Sequence, residues 1–203
     1  MNKGAEIIPT IPGTYIAFHW KSTGNKAAVT AEEWPVLEAE GEEADGVLLI
    51  VEGREPIVIS LSENLVYWGD SEDLTRPVPE GETSITVQTD YDGRNHIAKI
   101  IASNKSASYA PGWSYNFSSF GIPKNKWWLP SGGELKDIYN NIDNCNICFK
   151  VISGTTLLSK NKYWTSCVLT NNNVFILDFN NGNFSYVNKY NTKYRARAVS
   201  AFE

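Results

Sequence analysis

The forty residues 163–202 constrain the fold of this chain more than any other stretch. Within them, the alternating apolar run 174–179 predicts a β-strand with one face in a core. The pair Asn181-Gly182 follows directly, and because both residue types tolerate positive φ, it predicts a tight hairpin. We call the residues of these strands and turns the frame residues. The positions between them are chemically varied. We therefore expect a rigid strand-and-turn scaffold that displays a variable binding surface.

The varied positions are rich in Tyr, Ser and Asn, which combine rigid contact area with adaptable hydrogen bonding, as in antibody loops. The predicted ligand-binding residues are Ser166, Cys167, Val168, Leu169, Asn171, Asn172, Asn173, Phe175, Phe184, Ser185, Tyr186, Asn188, Tyr190, Asn191 and Tyr194. One face of an alternating strand must be core, so some of the apolar residues in 175–184 are expected to be structural. Core packing is the competing interpretation for each single aromatic residue.

Length and composition fit one domain with ample aromatic bulk, since the 203 residues include seven Trp, ten Tyr and eight Phe. The formal net charge of −5 argues against a nucleic-acid partner. No apolar run approaches the ~20 residues that span a bilayer, and no secretory signal is visible, so membrane insertion is not expected. Three Cys, an odd number, do not make a disulfide framework and fit a protein made in a reducing cytoplasm.

Two helices are expected before the C-terminal strands. Asp92 is placed to cap a helix whose apolar stripe runs through residues 96–101. Ser131 and Glu134 have the spacing of a capping box and predict the start of a second helix. No proline follows Pro130, as expected if the remaining chain is mainly paired strands.

The domain division expected from the sequence falls at residue 45. Residues 46–203 are predicted to form the ligand-binding domain. Residues 1–45 contain a predicted strand, a short helix and an acidic stretch. They are either an attachment segment or a part of the same domain, and the sequence leaves both readings open.

No pattern in the chain predicts a catalytic centre, a metal site or a cofactor. Cys145 and Cys148 form a lone C-x-x-C pair, whereas a structural zinc site needs four ligands. A redox role would need a strand-to-helix context that is absent there. Asp90 and Asp92 suggest part of a calcium loop, yet helix capping explains Asp92 more simply. We therefore expect a protein without enzyme activity.

The remaining frame residues have structural interpretations. Arg195 and Arg197 are expected to pair with carboxylates or carbonyls beside the frame. Trp127, Trp128 and Trp164 are expected to lie in the core rather than to form ligand platforms.

Several motifs occur in an order and spacing that are typical of a known family. They are W-W-L-P-S-G-G-E-L at 127–135, Y-W-T-S at 163–166, F-N-N-G-N at 179–183 and R-A-R-A-V-S-A-F at 195–202. Together they resemble the C-type lectin-fold variable proteins of diversity-generating retroelements, a family that includes phage tropism determinants and surface proteins of gut bacteria. The resemblance covers roughly residues 45–203.

This resemblance implies an α+β, C-type lectin-like fold of the variant shared with formylglycine-generating enzymes, with two main helices packed on a twisted, mostly antiparallel sheet. It also implies a homotrimer that binds a protein or glycan receptor on a bacterial cell surface. In such families the diversified codons begin as Asn codons. Thirteen Asn lie in 140–191 against seven in the first 139 residues, which fits that origin, although a low-GC genome also enriches Asn.

The expected function is therefore receptor binding by a phage tail protein that is made in the host cytoplasm and carried on the virion. A bacterial surface adhesin or fimbrial module of the same fold is one alternative, located on the cell surface if an export signal has been removed. A formylglycine-generating-type enzyme is another. That class uses paired cysteines near the C-terminus, a spacing that Cys145, Cys148 and Cys167 do not reproduce.

Overall fold

The computed structural model describes residues 3–70, 83, 85–101 and 106–202. The strands in these ranges are β1 (Gly13–His19), β2 (Lys26–Val29), β3 (Ala44–Ile50), β4 (Ile57–Val66), β5 (Trp127–Trp128), β6 (Lys162–Val168), β7 (Asn173–Asp178), β8 (Asn183–Asn188) and β9 (Tyr194–Ala201). They form one sheet in the order β2-β1-β3-β4-β9-β6-β7-β8, with β5 paired to β9. All of these pairings are antiparallel except the short parallel one between β6 and β9.

The helices in the same ranges are α1 (Trp34–Ala39), α2 (Gly93–Ile100), α3 (Ala110–Asn116), α4 (Gly132–Asn140) and α5 (Ile142–Val151), with a 3-10 turn at Thr86–Thr89. Helices and a mostly antiparallel sheet confirm the expected α+β class. The described chain has several short helices rather than two main ones, and α4 and α5 are the longest. No helix within the described ranges is long and apolar enough to cross a membrane.

Helix α5 corrects the expectation that the chain after Pro130 is mainly paired strands. Its sequence, IDNCNICFKV, mixes polar and β-branched residues, and the Asn141 side chain at its N-cap makes no capping hydrogen bond. Cys145, Cys148 and Phe149 recur at helical spacing and are buried, so tertiary packing stabilises this helix. The lone C-x-x-C pair is therefore one apolar stripe of a helix.

Both helices predicted around Asp92 and Ser131 are present. Asp92 occupies the N-cap position of α2, whose residues His96, Ile97 and Ile100 are buried. The predicted cap itself is wrong, because the Asp92 side chain makes no capping hydrogen bond and instead accepts from Asn95 Nδ2 at 2.5 Å. At the start of α4, the Ser131 N–H donates to the Glu134 carboxylate at 2.7 Å, which satisfies a backbone donor near the helix start.

The N-terminal strands belong to the same sheet as the rest of the described chain. β1 lies between β2 and β3, with Ile16 opposite Val29 on one side and opposite Val47 on the other. The division expected at residue 45 falls inside β3, which lies beside β1 in this sheet.

The sheet carries apolar side chains on both faces where β1, β3, β4 and β9 run side by side. Trp34 and Trp128 pack into the larger cluster, and Leu48 and Trp127 pack into a second one. Successive residues of a strand point to opposite faces, so the two tryptophans of β5 enter different clusters. Trp127, Trp128 and Trp164 are all buried, which confirms their expected place in the core.

The Glu63 carboxylate of β4 binds both arginine side chains of β9. The guanidinium groups of Arg195 and Arg197 approach its two oxygens, Arg197 at 3.7 Å, and the Tyr163 hydroxyl donates to it at 2.7 Å. Arg197 is fully buried over the Phe149 ring, and this burial lowers its pKa to about 10. The expected pairing of both arginines beside the frame is confirmed.

Candidate functional site

The β7–β8 hairpin forms where the Asn181-Gly182 pair predicts it, and its closed end pairs Asp178 with Asn183. The Gly182 N–H donates to the Asp178 carbonyl at 2.7 Å, and the φ of 72° at Gly182 lies in the left-handed region that favours glycine. The Gly182 carbonyl accepts a hydrogen bond from Lys136 Nζ of α4 at 2.7 Å. The tip of the hairpin is therefore fixed against α4.

The two strands of this hairpin differ in exposure. Residues 174–177 of β7 are fully buried, so both faces of this strand lie in the core, and the expectation of a single buried face is wrong. β8 is the outer strand of the described sheet, and it has Ser185 and Tyr186 exposed and Phe184 half-buried. A buried inner strand thus holds an exposed outer strand in a fixed register, so the β8 side chains have a rigid support.

Two turns flank the hairpin and are tied to each other. In the turn before β7, the Leu169 N–H donates to the Asn173 carbonyl at 2.9 Å. The Lys189 N–H, immediately after β8, donates to the Asn172 carbonyl of that turn at 3.0 Å. The Lys189 carbonyl in turn accepts the Trp68 N–H at 2.9 Å. Both turns and β8 therefore form one surface that is anchored to the core through Trp68.

We call the exposed part of this region the display surface. It consists of the predicted ligand-binding residues that are partly or fully exposed: Leu169, Asn171, Asn172, Asn173, Phe184, Ser185, Tyr186, Asn188, Tyr190, Asn191 and Tyr194. Tyr186 is 60% exposed, whereas the Tyr194 ring packs edge-on against Trp164 with the centroids 4.9 Å apart. The surface therefore combines free side chains with side chains that are partly structural.

Four predicted ligand-binding residues lie in the interior instead, and they are Ser166, Cys167, Val168 and Phe175. β6 is an inner strand between β9 and β7, and α2 and α4 pack against it. Phe175 packs with Cys167 and Val87 in a small cluster. A strand that is covered on both faces shows no alternation of apolar and polar residues, so the sequence does not separate these positions from surface ones.

A basic depression adjoins the display surface. It measures about 340 Å³ and is lined by Leu65, Asn161, Lys162, Asn180, Lys193, Tyr194 and Arg195. The Lys193 ammonium lies 5.2 Å from the centre of the Tyr67 ring. Tyr194 belongs to both the depression and the display surface, so a ligand held on the display surface can also reach these cations.

A larger cavity of about 570 Å³ lies between the β3–β4 turn, α2 and β5. The Arg54 guanidinium stacks over the Tyr91 ring at 3.9 Å, and Arg94 lies 5.8 Å from the centre of the Trp128 ring. Glu134 also lines the cavity, and burial raises its pKa to about 7. Aromatic faces, cations and a carboxyl group suit a small polar ligand. The sequence does not reveal this cavity because its lining comes from distant segments.

The two histidines lie in polar clusters that are not arranged for nucleophilic catalysis. Asp45 accepts from Ser119 Oγ and contacts His19 Nδ1, each at 2.6 Å, so the serine faces the carboxylate rather than the imidazole. His96 Nδ1 lies 3.0 Å from Ser166 Oγ, but both side chains are buried, so a substrate has no direct access to this hydroxyl.

Cys145 and Cys148 are buried free thiols. Burial raises the pKa of Cys145 to about 12 and also raises that of Cys148. Both groups keep their protons at neutral pH, and the thiol form is a poor nucleophile and a poor metal ligand. Protonated, uncharged thiols are compatible with packing in the apolar core.

The arrangement defines an α+β domain with an exposed edge hairpin, and one solved structure of related shape is a fimbrial protein from Bacteroides ovatus ATCC 8483. The two chains are 16% identical with a TM-score of 0.51, and the alignment covers 71% of this chain and 35% of the fimbrial chain. This chain therefore spans about a third of that protein's length, and the likeness is one of fold. No family model and no curated protein matches the sequence.

Proposed function

We propose that this chain is a non-enzymatic ligand-binding module of the adhesin kind, whose display surface contacts a protein or glycan receptor on a bacterial cell surface. One observation carries the proposal: the fully buried strand β7 supports an exposed strand β8 and two mutually bonded turns. Rigid support lowers the entropy cost of binding, because the backbone is already ordered before the ligand arrives.

The residue types on the display surface favour binding over other uses. Ser185 and Tyr186 are consecutive exposed residues of the outer strand, and Asn172 and Asn191 are exposed in the flanking turns. Tyrosine supplies large contact area with few rotatable bonds, and serine and asparagine supply hydrogen bonds that adapt to the partner. The adjoining basic depression adds cations for an acidic ligand.

Two settings fit such a module. The motifs that resemble retroelement variable proteins favour a phage tail protein of C-type lectin-like fold, assembled as a homotrimer on the virion. The fold likeness to a fimbrial protein supports a bacterial adhesin or fimbrial module instead. A formylglycine-generating-type enzyme is the third candidate, and the buried, protonated state of Cys145 and Cys148 weighs against it.

The test is binding of the purified chain to a panel of bacterial cells and to a glycan array. We expect Tyr186→Ala, combined with Asn172→Ala, to abolish binding without unfolding the protein. The matched control is Phe120→Ala, because Phe120 is a similarly exposed aromatic residue outside the display surface. Equal binding by the double variant and the wild type, or equal loss in the control, would show that the display surface is not the binding site.

A further inference from the structure

Three metal-ligating side chains from separate elements meet in the interior beneath the display surface. Asp90 follows the 3-10 turn, His96 lies in α2 and Cys167 lies in β6. The Asp90 carboxylate is 3.4 Å from His96 Nε2 and 3.4 Å from Cys167 Sγ. One donor atom from each of the three residues lies within 4.8 Å of the others.

The two separations from the Asp90 carboxylate are close to the edge lengths of a metal coordination tetrahedron. Zinc binds carboxylate oxygen and imidazole nitrogen at about 2.0–2.2 Å and thiolate sulfur at about 2.3 Å. Tetrahedral angles between such bonds place neighbouring donor atoms roughly 3.3–3.7 Å apart, with the longer values for pairs that include sulfur. An ion could therefore enter with only small movements of these three side chains.

The surrounding hydrogen bonds favour the metal-binding form of two ligands. Ser166 Oγ lies 3.0 Å from His96 Nδ1, so an Nδ1–H can donate to the hydroxyl and leave the Nε2 lone pair facing Asp90. Such an outer partner commonly fixes the tautomer of a ligating histidine. The Gly132 N–H, in the first turn of α4, points at Cys167 Sγ from 3.3 Å, which stabilises a thiolate.

The charges and the burial of these three side chains also favour a bound cation. His96 and Cys167 are almost fully buried, and the Asp90 side chain is 9% exposed. A thiolate beside a carboxylate in such a site would be repulsive without a cation. Without metal, the Cys167 thiol can instead keep its proton and donate to Asp90. The mixed sulfur, nitrogen and oxygen donor set selects zinc-like ions over magnesium or calcium, which take oxygen ligands.

We propose that Asp90, His96 and Cys167 bind a zinc-type divalent ion that fastens segment 85–101 to β6. The Asp90 carbonyl already accepts hydrogen bonds from Ser131 Oγ at 2.7 Å and from the Gly133 N–H at 2.8 Å. The ion would add a side-chain anchor to this backbone anchor. The three side chains leave one position of a tetrahedral site open, which a water molecule would fill. The role of the ion is structural, because the cluster is buried and a substrate has little room to reach that position.

A cysteine-histidine catalytic pair is a poorer account of the same residues. Such a pair needs one imidazole nitrogen to face the sulfur so that it can take the thiol proton. Here His96 presents its nitrogens to Asp90 and Ser166, and Cys167 Sγ contacts Asp90 and the Gly132 N–H. The Asp90 carboxylate, rather than the imidazole, contacts the sulfur, so His96 is not placed to take the thiol proton.

The experiment uses the whole chain, stripped with a chelator and titrated with Co²⁺ and Zn²⁺. We expect about one equivalent of Co²⁺ to bind with a thiolate-to-cobalt charge-transfer absorption, and zinc to displace it and raise Tm. Cys167→Ala should remove the absorption, and Cys148→Ala, which deletes a buried thiol outside the cluster, should keep it. Asp90→Asn should weaken the metal affinity by at least tenfold.

The wild-type titration decides the matter even if Cys167→Ala fails to fold. Absence of stoichiometric cobalt binding, or binding without a sulfur charge-transfer band, would overturn the proposal. The same holds if a folded Cys167→Ala protein keeps the band. Cell binding by the metal-free protein reports on the display surface separately, so the two proposals fail independently.

Discussion

Phe175 of β7 and Tyr186 of β8 are directly opposed across the hairpin, with their ring centroids 6.4 Å apart and their planes at 83°. Phe175 is fully buried, whereas Tyr186 is 60% exposed. One cross-strand pair thus joins the core to the display surface. The sequence alone does not show which aromatic residues of this stretch pack in the core and which are exposed, and this pair contains one of each.

Truncating the two rings should have opposite effects on stability and on binding. Phe175→Ala should lower the free energy of unfolding by about 3–5 kcal/mol, because it leaves a cavity in the core. Tyr186→Ala should cost less than about 1 kcal/mol and should weaken receptor binding. Denaturant unfolding measures the first effect and cell binding the second. A loss of stability in Tyr186→Ala as large as that in Phe175→Ala would make Tyr186 a core residue.

Removing the Glu63 charge should strongly destabilise the centre of the sheet. Glu63→Gln leaves the buried Arg197 guanidinium without its counter-charge, and breaking a buried ion pair in this way costs about 3–5 kcal/mol. The matched control is Glu40→Gln, which breaks an exposed pair with Lys3 and should cost less than about 1 kcal/mol. Urea unfolding of both variants provides the comparison, and similar costs for the two would contradict the prediction.

Glu134 should make the protein less stable as the pH rises from about 4.5 to about 7. Burial raises its pKa in the folded state from 4.5 to about 7, so the folded protein binds this proton more tightly than the unfolded chain does. Stability from this group is therefore complete below pH 4.5 and is lost as the pH approaches 7.

The control for this pH effect is Glu134→Gln, which cannot titrate and retains a side-chain carbonyl for the Ser131 N–H. Tm of the wild type should fall relative to that of the variant as the pH rises from about 4.5 to about 7. Burial also raises the pKa of Asp137, so only the difference between the two proteins isolates Glu134. Parallel Tm curves for the two proteins would show that Glu134 does not titrate in this range.

If the chain is diversified by a retroelement, its coding DNA should show it. Codons of the display surface should differ from a nearby template repeat at adenines of that repeat and nowhere else. Codons of frame residues such as Trp164, Gly182 and Arg197 should be identical to the repeat. Sequencing the locus provides the measurement. A locus without a template repeat would leave the adhesin setting as the better account.

The hairpin and helix α4 were predictable because local rules specify them. Asn181-Gly182 fixes the turn, and the Ser131–Glu134 capping box marks the helix start. Helix α5 was not predictable, because its buried stripe around Cys145 is stabilised by packing rather than by propensity. Local sequence patterns therefore predict single elements, but they do not predict elements that are stabilised by packing against residues distant in the sequence.

In the candidate site, too, some features could be predicted from the local sequence and others could not. Alternation shows that one side of a strand is buried, but it does not show that β6 is covered on both sides, so the sequence does not reveal that Ser166 and Cys167 are buried. Asp90 and Cys167 are separated by 77 positions, and only the folded chain brings them together. No spacing rule applies to ligands from a 3-10 turn, a helix and an inner strand.

The position of β9 has a consequence for how the protein is synthesised. This last strand of the described chain lies in the middle of the sheet, between β4 and β6, and also pairs with β5. Until residues 194–201 have left the ribosome, β4 and β6 each have an open edge that can pair with a neighbouring nascent chain. We therefore expect the sheet to close only after β9 has been translated, and chains cut short before it to aggregate.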